Sequence, residues 1–165
     1  MPKCLYLLCP TDCLETIINN TFSDDNYFYA SLGNSFVADT KSVACIKRLV
    51  EKHKIEKIRF ILSTDNKVVL DALGEQYFSR MRRLRGFYLE MEKQNKRSEV
   101  LTQNRDREFS VISYYLNQKV KRLQLDLNTL PNNPIHISGK IFNRNLDSFT
   151  PIYSDLVCLE TFHLN

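Results

Sequence analysis

Glycine is scarce in this chain. Only four occur in 165 residues, where average usage of about 7% would supply roughly 12. Two phosphate-binding loops need glycine at fixed spacing, GxGxxG and GxxxxGKS/T, and neither pattern is present, which sets aside nucleotide binding by those devices. Long apolar runs are missing as well. None approaches the ~20 residues that cross a bilayer. The first run, "CLYLL" behind a single lysine, is too brief for a secretory leader. "LLC" lacks the small residues and apolar stretch of a lipoprotein signal. His53, His136 and His163 are scattered, with no HxxxH or CxxC spacing. Cys4, Cys9, Cys13, Cys45 and Cys158 make an odd number without dense spacing, the pattern of reduced intracellular thiols rather than a disulfide framework. Together these absences predict a cytoplasmic protein with no membrane partner.

What is present is a local excess of positive charge. The formal net charge is +4, yet residues 80–97 hold seven Lys/Arg against two Glu. The rest of the chain is therefore close to neutral, and the basic character belongs to one segment.

The apolar pattern alternates between strand and helix. "CLYLL" at 4–8 reads as a buried strand, and Leu14, Ile17 and Ile18 follow at helical spacing with Asp12 as the expected N-cap. "YFYASL" is strand-forming, and Gly33-Asn34 breaks it. A helix is expected from Asp39 or Thr40 to about His53. "KIRFIL" at 57–62 suits a sheet covered on both faces. Ser63, Thr64 or Asp65 is then expected to cap a helix ending near Gly74. A further helix is predicted from Glu75 to Lys93, weakened at Gly86. A polar loop or excursion is expected near 94–106, then a helix over 107–124 and a strand at 135–142. The sum is one α/β domain over residues 1–165, with a mostly parallel central sheet flanked by helices. Ligands in such sheets sit at the carboxyl ends of the strands, here 9–13, 31–34 and 63–66.

Those strand ends read "CPTDC", "SLGN" and "LSTDNK", with "CIKRLVEKHKIEKIRFIL" leading into the third and "HISGKIFN" near the far end. Their order and spacing resemble the beta-class carbonic anhydrases, whose strand ends carry Cys-x-Asp-x-Arg, Ala-Gly-Asn and Gly-His-x-x-Cys-Gly. The resemblance covers residues 4–73 and, more thinly, 135–150. It implies that fold, a homodimer, and a zinc site at this corner. With only Met1–Lys3 ahead of the first strand, a helical N-terminal pairing arm is expected to be missing.

The departures change the expected chemistry. The resemblance assigns the zinc ligands to Cys9 and to the positions of Ser63 and Asn66, and serine and asparagine are poor zinc ligands beside imidazole and thiolate. Thr11 stands at the motif aspartate and Cys13 at the arginine, with Asp12 one place away. Without three ligands and an open position there is no zinc-bound hydroxide. The expectation is a protein without cofactor or carbonic anhydrase activity, kept for binding or assembly, with homodimer and protein partners foremost. The vestigial pocket would comprise Cys9, Thr11, Asp12, Cys13, Asn34, Ser63, Asp65 and Asn66. Asp12, Ser63, Asp65 and Asn66 either bind a small polar ligand or cap helices, and capping is preferred. Cys9 and Cys13 are either a reactive pair at a helix start or leftover small residues, the latter preferred because no histidine lies near to activate them. An alternative is a thiol-dependent enzyme using Cys9 with Asp12. Another is an RNA- or ribosome-associated factor. There, Arg80, Arg82, Arg83 and Arg85 would meet phosphates while Phe87 and Tyr88 stack on bases or pack below.

Overall fold

A computed structural model of the chain describes residues 1–35, 40–101, 107–128 and 134–153. In chain order the elements are β1 (Lys3–Leu8), α1 (Glu15–Thr21), β2 (Asp25–Ala30), α2 (Thr40–His53), β3 (Lys57–Ser63), α3 (Lys67–Leu73), α4 (Arg85–Leu101), α5 (Arg107–Leu127), β4 (His136–Asn143) and β5 (Ser148–Pro151), with short 3-10 turns at 10–12 and 32–34. The sheet order is β2-β1-β3-β4-β5. Pairing is parallel throughout except for β5, which returns antiparallel along β4. The α/β class and the mostly parallel sheet are as the sequence led one to expect.

Side-chain alternation along β1 sorts the core into two layers. Leu5 and Leu7 face the larger cluster with Ile58, Phe60 and Leu62 of β3, packed under α2, α3, α4 and α5. Cys4, Tyr6 and Leu8 face the other way, onto Leu14, Ile18 and the Phe22–Phe149 aromatic pair. Both faces of β1 are covered, which is why its run from Cys4 to Leu8 is wholly apolar and buried. Burial pushes the Cys4 thiol up to about 11 despite the nearby Arg59 guanidinium, so this cysteine is an inert core group. Among the described residues no helix is long and apolar enough to cross a membrane.

Several local expectations change. Asp12 does not cap α1, whose N-cap is Leu14 with no side-chain bond. The cap of α3 is Asn66 rather than Ser63, Thr64 or Asp65; its side chain accepts from the Val68 and Val69 amides. The helix expected from Glu75 begins only at Arg85. Residues 75–84 are turns, because the Asp71 carboxylate accepts the Tyr77 and Phe78 amides and the Tyr88 hydroxyl, giving that backbone a partner outside a helix. Gly86 thus lies at the start of α4, not at a weak point within a helix. Residues 94–101, expected in a polar loop, continue α4, and 102–106 lie outside the described residues, as do Asp39, Cys158 and His163.

One glycine seats a helix on the sheet. Gly33 has φ +62°, and a Cβ there would stand 2.8 Å from the Phe87 ring of α4. Phe87 cannot swing aside, since it is buried and held edge-on by Tyr88 and Tyr115. Gly33→Ala is expected to cost about 2 kcal/mol or more, combining left-handed backbone strain with overpacking. Urea unfolding measures this directly, and a loss below about 0.5 kcal/mol would contradict so close a seat.

Candidate functional site

The strand order reverses between β1 and β3. The chain passes from β1 outward to β2, then back across to β3 on β1's other side. Such a reversal opens a crevice beyond the carboxyl ends of the two strands. The β1–β3 pairing register ends at Leu7 opposite Phe60, and the residues that follow each strand form the corner.

Asn34 closes the floor of that crevice. Its side-chain amide donates to the Leu7 carbonyl at 2.8 Å and to the Ile61 carbonyl at 3.0 Å, one on each strand. Its backbone carbonyl accepts the Tyr115 hydroxyl of α5 at 3.0 Å. Asn34 therefore acts as a strand clamp, and its φ of 52° fits a residue type that tolerates the left-handed region.

Above the clamp, the remaining corner residues bond to one another. The Gly33 amide donates to Cys9 Sγ at 3.1 Å, and Cys9 Sγ lies 3.0 Å from Thr11 Oγ1. Asn66 Nδ2 reaches Thr11 Oγ1 at 3.3 Å and Asp12 Oδ1 at 2.8 Å. The Ser63 hydroxyl donates to Asp12 Oδ1 at 2.6 Å and the Ser63 amide to Asp12 Oδ2 at 3.0 Å. Asp12 is only 2% exposed. Burial raises its pKa, while the Ser63 and Asn66 bonds pull the other way. The residue that sequence pattern makes a local cap is instead the acceptor that joins the exits of β1 and β3.

The rim adds a residue that sequence reasoning missed. Arg144, just past β4, pairs through Nε with Asp65 Oδ2 at 2.9 Å and donates through Nη2 to the Asp12 carbonyl at 3.0 Å. Partial burial disfavours the Asp65 carboxylate, but its polar neighbours, the Arg144 guanidinium among them, outweigh it and lower its pKa. Cys13 is exposed, with its Sγ 3.5 Å from the Pro10 carbonyl. Cys9 is 1% exposed, so the two thiols do not form one accessible pair.

These residues do not fit a catalytic zinc. The donor set is one thiol, one hydroxyl and one amide. The hydroxyl donates to Asp12, and the Asn66 amide is used at both ends, on Asp12 and on the α3 backbone. Among the described residues no group of three or more His, Cys, Asp or Glu is placed to hold a metal ion.

The basic segment is organised differently from a continuous helix face. Arg80, Arg82 and Arg83 sit in the turns held by Asp71, and Arg85 opens α4; all four are exposed. Phe87 and Tyr88 are 4% and 6% exposed, so they pack below and are not available to stack on bases. Of the two glutamates, Glu92 pairs with Lys96 at 2.9 Å and Glu90 accepts from Gln94. Arg82 and Arg83 border a cavity of about 950 Å³ that also draws on Lys93, Lys119 and Arg122.

No protein-family profile matches the chain, and a search of curated proteins finds no relative. Solved structures do match. A variant of the beta-carbonic anhydrase CafD of Aspergillus fumigatus aligns over 93% of this chain and 90% of its own, with TM-score 0.73 and 18% identity. A tetrameric beta-carbonic anhydrase of Sordaria macrospora aligns over 92% and 80%, with TM-score 0.68 and 15% identity. The Coccomyxa beta-carbonic anhydrase, solved with acetazolamide, aligns over 92% and 72%, with TM-score 0.69 and 11% identity. The chain has the beta-carbonic anhydrase fold.

Removing the Asp12 carboxylate would strand three buried donors, the Ser63 amide, the Ser63 hydroxyl and one Asn66 N–H. Each unpaired donor costs about 1–3 kcal/mol when water cannot replace its partner, so Asp12→Ala is expected to lose about 3 kcal/mol. Chemical denaturation of the variant is the measurement, and a loss under about 1 kcal/mol would contradict the bonding described.

Proposed function

We propose that this chain is a non-catalytic member of the beta-carbonic anhydrase fold, kept for a binding or assembly role. The observation that carries the reading is the use of Ser63 and Asn66. At the positions the sequence resemblance assigns to zinc ligands, both spend their polar atoms on Asp12 and on backbone. Hydration of CO2 in this fold calls for a metal-bound hydroxide, and the corner offers one thiol toward it. In this reading Cys9, Thr11, Asp12, Ser63 and Asn66 hold the ends of β1 and β3 together. Asn34 clamps the strands, and Asp65 and Cys13 lie on the rim.

A thiol enzyme built on Cys9 and Asp12 is less well supported. Cys9 Sγ is buried between the Gly33 amide and Thr11, and both oxygens of Asp12 accept bonds from neighbours. Neither atom is free to meet a substrate without breaking the corner. An RNA-binding role loses the aromatic stacking that would accompany the arginines, because Phe87 and Tyr88 are core residues.

The assembly in this reading is a homodimer acting in the cytoplasm. The oligomeric state named for the Sordaria macrospora neighbour supports self-association of the fold.

Two measurements test these statements. Protein purified without added metal is expected to carry less than about a tenth of an equivalent of zinc and to leave CO2 hydration at its uncatalysed rate. Near-stoichiometric zinc with activity would overturn the non-catalytic reading. Light scattering on the eluted protein should give twice the 19.4 kDa chain mass; a monomer at micromolar concentration would remove the dimer.

A further inference from the structure

The cavity between the end of β2, the 75–84 turns, α4 and α5 has a one-sided electrostatic lining. Among the described residues, Arg82, Arg83, Lys93, Lys119 and Arg122 line it against one carboxylate, Glu90. The cations come from three stretches of chain, and they converge on a concavity rather than tracking along a groove. Its volume of about 950 Å³ is at the upper end of the 300–1,000 Å³ usual for small-molecule sites.

Three details bear on what it takes. The turn carrying Arg82 and Arg83 is fixed by the Asp71 carboxylate through Tyr77, Phe78 and Tyr88, so these guanidiniums are presented from an ordered backbone. Lys119 lies over the Tyr115 ring at 5.3 Å from its centroid, and burial pushes its amine down to about 8 although the Glu90 charge favours the cation. Ser31 Oγ, in the wall, is buried with no hydrogen-bond partner among the described residues. A concave site with guanidiniums, ammoniums and a spare hydroxyl matches the oxygen-rich, multiply charged surface of phosphate groups. Nucleic acid is the poorer fit, because a strand wants an extended basic track with exposed aromatics.

We propose that this cavity binds a small polyanion carrying two or more phosphate groups. Arg82, Arg83, Lys93, Lys119 and Arg122 neutralise it, and Ser31 donates a hydrogen bond. The proposal extends the binding role proposed above by naming a ligand class. It concerns a site separate from the Cys9 corner and does not depend on that corner's metal content.

The test is calorimetric titration of the full chain with inorganic tripolyphosphate and, separately, with ATP, in the presence of a chelator. Saturable 1:1 binding is expected, weakening as salt is raised from about 50 to 200 mM. The doubly substituted Arg83→Gln, Lys93→Gln protein should bind at least about tenfold more weakly, since each change removes one charge-assisted contact. Both side chains are exposed, and an unchanged circular dichroism melt will show that the variant folds. The control is Arg48→Gln with Lys121→Gln, the same loss of charge at exposed sites outside the cavity, and it should bind like the parent. Equal affinity for the two ligands places recognition in the phosphates alone, and tighter ATP binding extends it to a nucleoside; both uphold the site. The proposal is overturned if neither ligand binds, if the control weakens as much as the cavity variant, or if a single-stranded RNA oligomer binds where tripolyphosphate does not. Because chelator is present throughout, zinc found at the corner would refute the non-catalytic reading and leave this result standing.

Discussion

A single buried carboxylate ties the two halves of this sheet together. Asp12 leaves β1 and accepts from Ser63, at the end of β3, through both amide and hydroxyl, and from Asn66 at the start of α3. Burying a carboxylate is costly unless its oxygens are well supplied with donors, and here three donors converge on it. Asn66 in turn caps α3 through its other amide atom. The geometry of β1, β3 and α3 is therefore set by one connected set of bonds, with the Asn34 clamp beneath it.

That arrangement has a chemical consequence. In an open α/β sheet the crevice at the strand reversal is the natural place for a ligand, and here it is occupied by the chain's own polar atoms. Serine and asparagine at this corner do more than fail as metal ligands. They are the hydrogen-bond donors that make a buried Asp12 tolerable, so the corner is held as a structural joint. A concavity with an unbalanced charge lies elsewhere, on the α4–α5 side of the sheet. Positive charge there comes from segments that only the tertiary fold brings together.

Much of the architecture could be read from residue order, because it rests on local periodicity. The runs ending at Leu8 and Leu62 were strands, the helix expected to end near His53 was α2, and the three short strand-end motifs located the corner and the fold. What escaped depended on long-range partners. Asp12 looked like a cap because capping is a local pattern, whereas its partners are more than fifty residues away. The late start of α4 turned on Asp71 reaching forward to Tyr77 and Phe78, which competes with helix formation. Phe87 and Tyr88 looked like companions to the arginines, yet α4 turns them into the core. Lys119 and Arg122 gave no sign in sequence of facing Arg82 and Arg83, and Arg144 none of reaching the Asp12 carbonyl.

The central claim is that Asp12, Ser63 and Asn66 bond to one another at the corner where the resemblance in sequence pattern implies a zinc site. Anomalous diffraction at the zinc edge, from crystals grown with excess zinc, tests it most directly. The account predicts no peak within coordinating distance of Cys9 Sγ and Asp12 bonded to Ser63 and Asn66. A full-occupancy peak bonded to Cys9, with Asp12 turned away from Ser63, would contradict it.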